Sequence, residues 1–131
     1  MPPFLLMDKE PVQGFTVIEL LIVVAIIGIL AAFLVPNLIK VRDKANHTSA
    51  QSVARNVLTG MAAVETSGLA LASCSYTNNV VQISANNFTQ KVNASDIVND
   101  VQCMSDSFQW KVTVSFAQSA GIKTEDFIAR K

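Results

Sequence analysis

From Leu20 to Val35 the chain reads LLIVVAIIGILAAFLV, a run without a single polar side chain. With Phe15, Thr16, Val17 and Ile18 before it, the segment reaches about 21 residues, or roughly 31 Å of helix at 1.5 Å per residue. That is the thickness of a bilayer's hydrocarbon layer. The whole chain has 131 residues, enough for one domain and an appendage but not for two full cores. One carboxylate, Glu19, stands near the start of this segment, where lipid would exclude it unless it reaches the interface.

A removable secretory signal has an apolar stretch of about 7–15 residues behind a basic start. Here the run is longer and follows Asp8-Lys9-Glu10, so the sequence predicts that the segment is retained. Before it, Pro2-Pro3, Pro11 and Gly14 break helix, and residues 1–14 read as a leader. After Pro36 a different pattern begins. Ala50, Val53, Ala54, Val57, Leu58, Met61 and Val64 recur at three- and four-residue steps, which predicts an amphipathic helix whose stripe needs a cover. Ser67-Gly68 is the expected stop, so Phe15 to Ser67 would form one helix of about 80 Å.

Downstream the period becomes two. Phe108, Trp110, Val112, Val114 and Phe116 alternate with Gln109, Lys111, Thr113 and Ser115, which predicts a strand. Val80 to Ser84 and Phe88 to Val92 read as two further strands joined across Ala85-Asn86-Asn87. Ser95-Asp96 is expected to cap a helical turn through Val101, and Thr124 another through Lys131. The fold class is therefore α+β: a long N-terminal helix with a membrane-spanning first half, packed on a small antiparallel β-sheet head. The divisions are 1–14 leader, 15–36 hydrophobic transmembrane helix, 37–67 amphipathic continuation and 68–131 head.

Charge excludes several functions. Ten basic and ten acidic residues cancel, and loss of residues 1–14 leaves a net of +1, so DNA is a partner that the charge does not support. Lys40-Val41-Arg42-Asp43-Lys44 reads as a solvated face or an intersubunit contact. A single His47 and serines without a nucleophile motif offer no catalytic set, and no cofactor or metal is expected. Asn46-His47-Thr48, Asn87-Phe88-Thr89 and Asn93-Ala94-Ser95 fit the glycosylation triplet, a pattern frequent by chance. Cys74 and Cys103 are expected to bridge if the head faces an oxidising compartment, closing a loop of about 30 residues worth roughly 3–4 kcal/mol on the chain-entropy model.

Gly14 before Phe15, Thr16 next, Glu19 fifth after the junction, the apolar run with Gly28 inside it and Pro36 at its end together closely resemble the class III signal and first helix of type IV pilins and pseudopilins. The resemblance covers about 23 residues. It implies cleavage by a prepilin peptidase between Gly14 and Phe15, N-methylation of Phe15, residence in the inner membrane with the head outside, and recruitment by a pilus assembly machinery into a homo-oligomeric helical filament on the cell surface. It also implies that Glu19 pairs with the new Phe15 amine of a neighbour during filament assembly, and that the helix between Gly28 and Pro36 can kink or melt there. Such a filament serves adhesion, twitching motility or DNA uptake. The alternatives are a minor pilin or pseudopilin of a secretion or competence system, and a single-pass anchored receptor that never polymerises.

The leader departs from the family pattern in carrying Gln13, not a basic residue, before Gly14, and Met7 offers a second start. Lys40, Arg42 and Lys44 after the apolar run oppose the implied orientation by charge count. Cys103 lies farther from the chain end than the last cysteine of many pilins, and the head carries no Asp-rich Ca²⁺ loop like that of some pseudopilins.

Overall fold

A computed structural model describes residues 14–70, 73–86 and 88–131. The expected leader, apart from Gly14, and Asn87 of the expected hairpin turn lie outside the described residues. The elements are α1 (Val17–Thr66), β1 (Ser73–Thr77), β2 (Val80–Ala85), β3 (Phe88–Asn93), β4 (Val98–Ser105), β5 (Gln109–Gln118) and β6 (Gly121–Arg130).

Residues up to Asn37 and from Leu38 onward form two separate compact units. In the first, every described side chain is exposed except the half-exposed Ala31. In the second, the helix buries Ala50, Val53, Ala54, Val57, Gly60, Met61 and Val64. That is the stripe the spacing predicts, with Leu58 half-buried at its flank. The helix ends one residue before the expected stop. Gly68 then takes φ 75° and donates its N–H to the Glu65 carbonyl at 2.9 Å, a left-handed cap that glycine adopts without strain.

Among the described residues there are six strands, not three, and they form two sheets of order β1-β2-β3 and β4-β5-β6, antiparallel throughout. Phe116, Met61, Ile83, Val57 and Val112 are the bulkiest members of the single core that both sheets share with the helix. The sheets meet where β1 lies beside β4, and the Cys74–Cys103 disulfide joins them there with a Cα separation of 5.6 Å.

Two expected helical turns are strands instead. In β4 a bulge between Val98 and Asp100 buries Val98 and Val101 on one face although they stand three residues apart, a spacing that mimics a helix. In β6 the inward side chains are Glu125, Phe127 and Ala129, while Ile122 and Ile128 face out, so the residue types invert the alternation that marks a strand. The strand at 108–116 is present as β5, but Phe108 lies just before it and is 81% exposed, whereas Val112, Val114 and Phe116 are fully buried. β1 was not expected. Its hairpin turns on Asn78 and Asn79, whose φ values of 51° and 60° suit a two-residue loop whose twist matches the flanking strands.

Gly60 is where helix and first sheet approach most closely. A Cβ there would stand 2.7 Å from Cδ1 of the fully buried Ile83 and 3.4 Å from Cδ of Gln90. Gly60→Ala should therefore lose stability by about 1–3 kcal/mol through overpacking despite its better helix propensity. Ile83→Val removes the obstructing methyl, and urea titration should show the double variant recovering much of the loss of Gly60→Ala.

Candidate functional site

The chain enters its helix through Gly14-Phe15-Thr16, all three exposed and non-helical. Thr16 is the N-cap. Its backbone N–H donates to Glu19 Oε2 at 2.8 Å, its hydroxyl donates to the same oxygen at 2.8 Å, and Glu19 N–H donates back to Thr16 Oγ1 at 3.3 Å. This reciprocal arrangement is a capping box, in which two otherwise unsatisfied backbone donors of the first turn find partners. Glu19 is therefore fixed at the head of the helix, not free on its surface. In the sequence Thr16 counts only toward the family resemblance; its capping role is the structure's addition, although the Thr-x-x-Glu signature at 16–19 is legible there.

Phe15, one residue earlier, is 82% exposed and outside the helix. A Cβ at Gly14 or Gly28 would meet no atom within 4 Å, so nothing inside the described chain requires glycine at either position. The helix runs unbroken through Gly28 and Pro36. Its most apolar 18-residue window has a mean hydropathy of 3.0, and none of that window is buried in the protein. Such a surface, with Phe33 77% and Leu30 64% exposed, needs lipid or other helices to cover it. The structure thus brings Thr16 and Glu19 together and joins Cys74 to Cys103, whereas Phe15, Gly28 and Pro36 stand without a side-chain partner within the described residues.

Polar contacts lock the helix to the head. Asn46 Nδ2 donates to the Ala117 carbonyl at 2.9 Å, and His47 Nε2 lies 2.8 Å from Glu125 with its ring edge-on to Phe116. Asp43 accepts from both the hydroxyl and the N–H of Ser119, which hold its carboxyl below the usual range. At the other end of the packed helix, Lys131 and Trp110 both donate to Glu65, at 2.9 and 2.7 Å, and depress its pKa in that order of influence. On the outer face of the second sheet, Lys111 and then Thr113 do the same for Asp126.

All three carboxylates have folded pKa values below their ordinary ones, 4.5 for Glu65 and 3.8 for both aspartates. Their contribution is complete above the ordinary values and is lost as pH falls through the folded ones. Thermal melts should thus be flat in this respect from pH 7 to about 5 and fall progressively below about 4.5. Asp126→Asn should flatten that descent.

Among the described residues, no three His, Cys, Asp or Glu side chains gather as metal ligands. A capped acid at the head of a bare, membrane-length helix, followed in the chain by an α+β head with a helix laid on antiparallel sheet, defines a pilin-like protein. The family model for the prokaryotic N-terminal methylation motif matches residues 11–35. The type IV wide pilus major component PilA4 of Thermus thermophilus is 67% identical over 36 residues, 28% of this chain and 28% of that protein. The type IV major pilin protein PilA of Myxococcus xanthus is 55% identical over 40 residues, 30% of this chain and 18% of its own length. The type II secretion system core protein G of Aeromonas hydrophila is 44% identical over 46 residues, 35% of this chain and 32% of its own. The chain thus spans less than a third of each of these three relatives. No solved structure matches. The N-terminal motif, these relatives and the helix-on-sheet head together support a type IV pilin or pseudopilin.

Proposed function

We propose that the chain is a structural subunit, not an enzyme, made as a membrane-anchored precursor and polymerised into a type IV pilus. The observation that carries this reading is the Thr16–Glu19 box at the head of a membrane-length helix whose apolar window is covered by none of the described residues. In the inner membrane the helix is covered by lipid with the head outside, and Glu19, one turn from its end, reaches the interface. In a filament the helices cover each other. Water is then excluded, and the carboxylate needs a cation. Cleavage between Gly14 and Phe15 creates one, the α-amino group of Phe15, which N-methylation leaves positive. The open space around Gly14 supports a demand for glycine that comes from the peptidase, since no described residue makes one.

Likeness to a type II secretion core protein favours a second reading, a pseudopilin of a secretion system. N-terminal mass spectrometry of filaments sheared from cells separates the two. A dominant peptide beginning at N-methylated Phe15 in the sheared fraction supports the pilus. The same peptide confined to membranes supports the pseudopilin, and a retained 1–14 leader would overturn both in favour of an anchored receptor.

A further inference from the structure

Ion pairs within the head use its charges unevenly. Among the described residues, Glu65, Glu125 and Asp126 are all paired, with Lys131, His47, Lys123 and Lys111 as their partners. Of the charges in no such pair, Arg55, Lys91, Asp106 and Arg130 are scattered over the helix, the strands and the β4–β5 turn, and two groups stand close together in the chain. Lys40, Arg42 and Lys44 are exposed within one helical turn and a half, Lys40 and Lys44 on one face and Arg42 on the opposite one; they make no ion pair, and Asp43 between them is already held by Ser119. Asp96 and Asp100 flank the start of β4, with no basic residue between Lys91 and Lys111 to offset them. Asp96 is exposed and accepts only a neutral amide, from Asn79 at 2.6 Å, and Asp100 only that of Gln102 at 3.1 Å.

Both sets lie toward the same end of the head. Ala117 links them: its carbonyl accepts from Asn46 on the helix, and its N–H donates to the carbonyl of Ile97, next to Asp96, at 2.8 Å. A recess of about 240 Å³ opens beside the basic turn, lined by Ile39, Arg42, Asp43, Asn46, Gln118 and Ser119. With the Asp43 carboxylate engaged, Arg42 is the charge this recess presents to a visitor. It calls for a carboxylate.

We infer that the Lys40-Arg42-Lys44 turn of one subunit docks against the Asp96–Asp100 edge of a second copy, with Arg42 and its recess as the receptor for an aspartate. This rests on the polymerisation reading and deepens it. The two patches are different surfaces of one chain, so a contact made once per pair of copies is heterologous and leaves an unused basic turn at one side and an unused acidic edge at the other. Such a contact propagates, where a self-complementary one would stop at a dimer.

The test uses the full chain in cells that express it. Lys40→Glu/Arg42→Glu/Lys44→Glu and Asp96→Lys/Asp100→Lys should each lower sheared filament yield at least tenfold, with membrane insertion and Phe15 processing unchanged. Combining all five should restore yield to within about threefold of the parent. Separately, Lys44→Cys together with Asp100→Cys in one chain should give an oxidative ladder beyond dimers, which neither single variant gives. Filaments that tolerate both reversals, or a five-fold variant no better than its parents together with no ladder, overturn the docking while leaving polymerisation intact. Absence of filaments and ladder from chains with native charges overturns both. Reduced membrane retention in the triple reversal, with no ladder, would assign the basic turn to lipid phosphates and likewise overturn the contact.

Discussion

Glu19→Leu is expected to insert, to be cut after Gly14 and to be methylated at Phe15, yet to yield filaments at about a hundredth of the parent level or less. Removing the carboxylate makes the helix easier to hold in lipid, so the precursor stage gains. Assembly loses, because the Phe15 amine of the neighbouring subunit then enters a water-free core without a partner. Breaking one side of a buried ion pair costs about 3–5 kcal/mol, or two to three and a half decades in the equilibrium of each added subunit. The capping box makes a sharper comparison available. Glu19→Gln keeps an acceptor for the Thr16 N–H and hydroxyl, and glutamine serves a capping box nearly as well as glutamate. If Glu19 only closes the first helical turn, Gln should assemble like the parent. If its charge pairs in the core, Gln should fail almost as badly as Leu while its helix content stays unchanged. Normal filaments from Glu19→Gln would remove the charge-pairing argument and leave only the cap.

The first helix was legible because its signals are local and redundant. Length, hydropathy and the position of Glu19 agree, and the amphipathic stripe from Ala50 to Val64 keeps strict helical spacing to its end. The head was legible only where the alternation is intact. β5 has Val112, Val114 and Phe116 inward with polar residues between, and its period is two without interruption. β4 hides behind its bulge, which spaces Val98 and Val101 like a helix face. β6 hides for an electrostatic reason. Its inward Glu125 is tied to His47 across the helix–sheet junction, so a charge stands where periodicity expects an apolar residue, while Ile122 and Ile128 face outward. No local pattern encodes such a pairing, which joins residues 78 positions apart. The capping role of Thr16 is hidden for the opposite reason: the Thr-x-x-Glu signal is local but only four residues long, and it abuts an apolar run that already accounts for the helix.

Cys74→Ser/Cys103→Ser is expected to lower the head's unfolding free energy by about 3.5 kcal/mol, from a bridge that spans 29 residues on the chain-entropy model. For a unit of this size that corresponds to roughly 15–25 °C in melting temperature, to be read by near-ultraviolet circular dichroism on the full chain in detergent. An entropic effect on the unfolded chain would weaken every part of the head alike. The topology argues for something more local as well. Among the described residues no strand pairing joins the two sheets, because β1 pairs with β2 alone and β4 with β5 alone, so side chains and the disulfide carry the junction between them. β1 is also the shortest strand of the head, at five residues. Without the bridge, its hold on the second sheet reduces to side-chain packing and to the Tyr76 hydroxyl, which donates to the Val98 carbonyl at 2.7 Å. Amide exchange in the serine variant should accordingly rise first at Cys74→Ser and Tyr76 of β1, under conditions where Val112 and Val114 of β5 remain protected. A uniform rise across both sheets would show that the bridge acts through the unfolded chain alone, and an unchanged melting temperature would show that side-chain packing between β1 and β4 holds the sheets together without it.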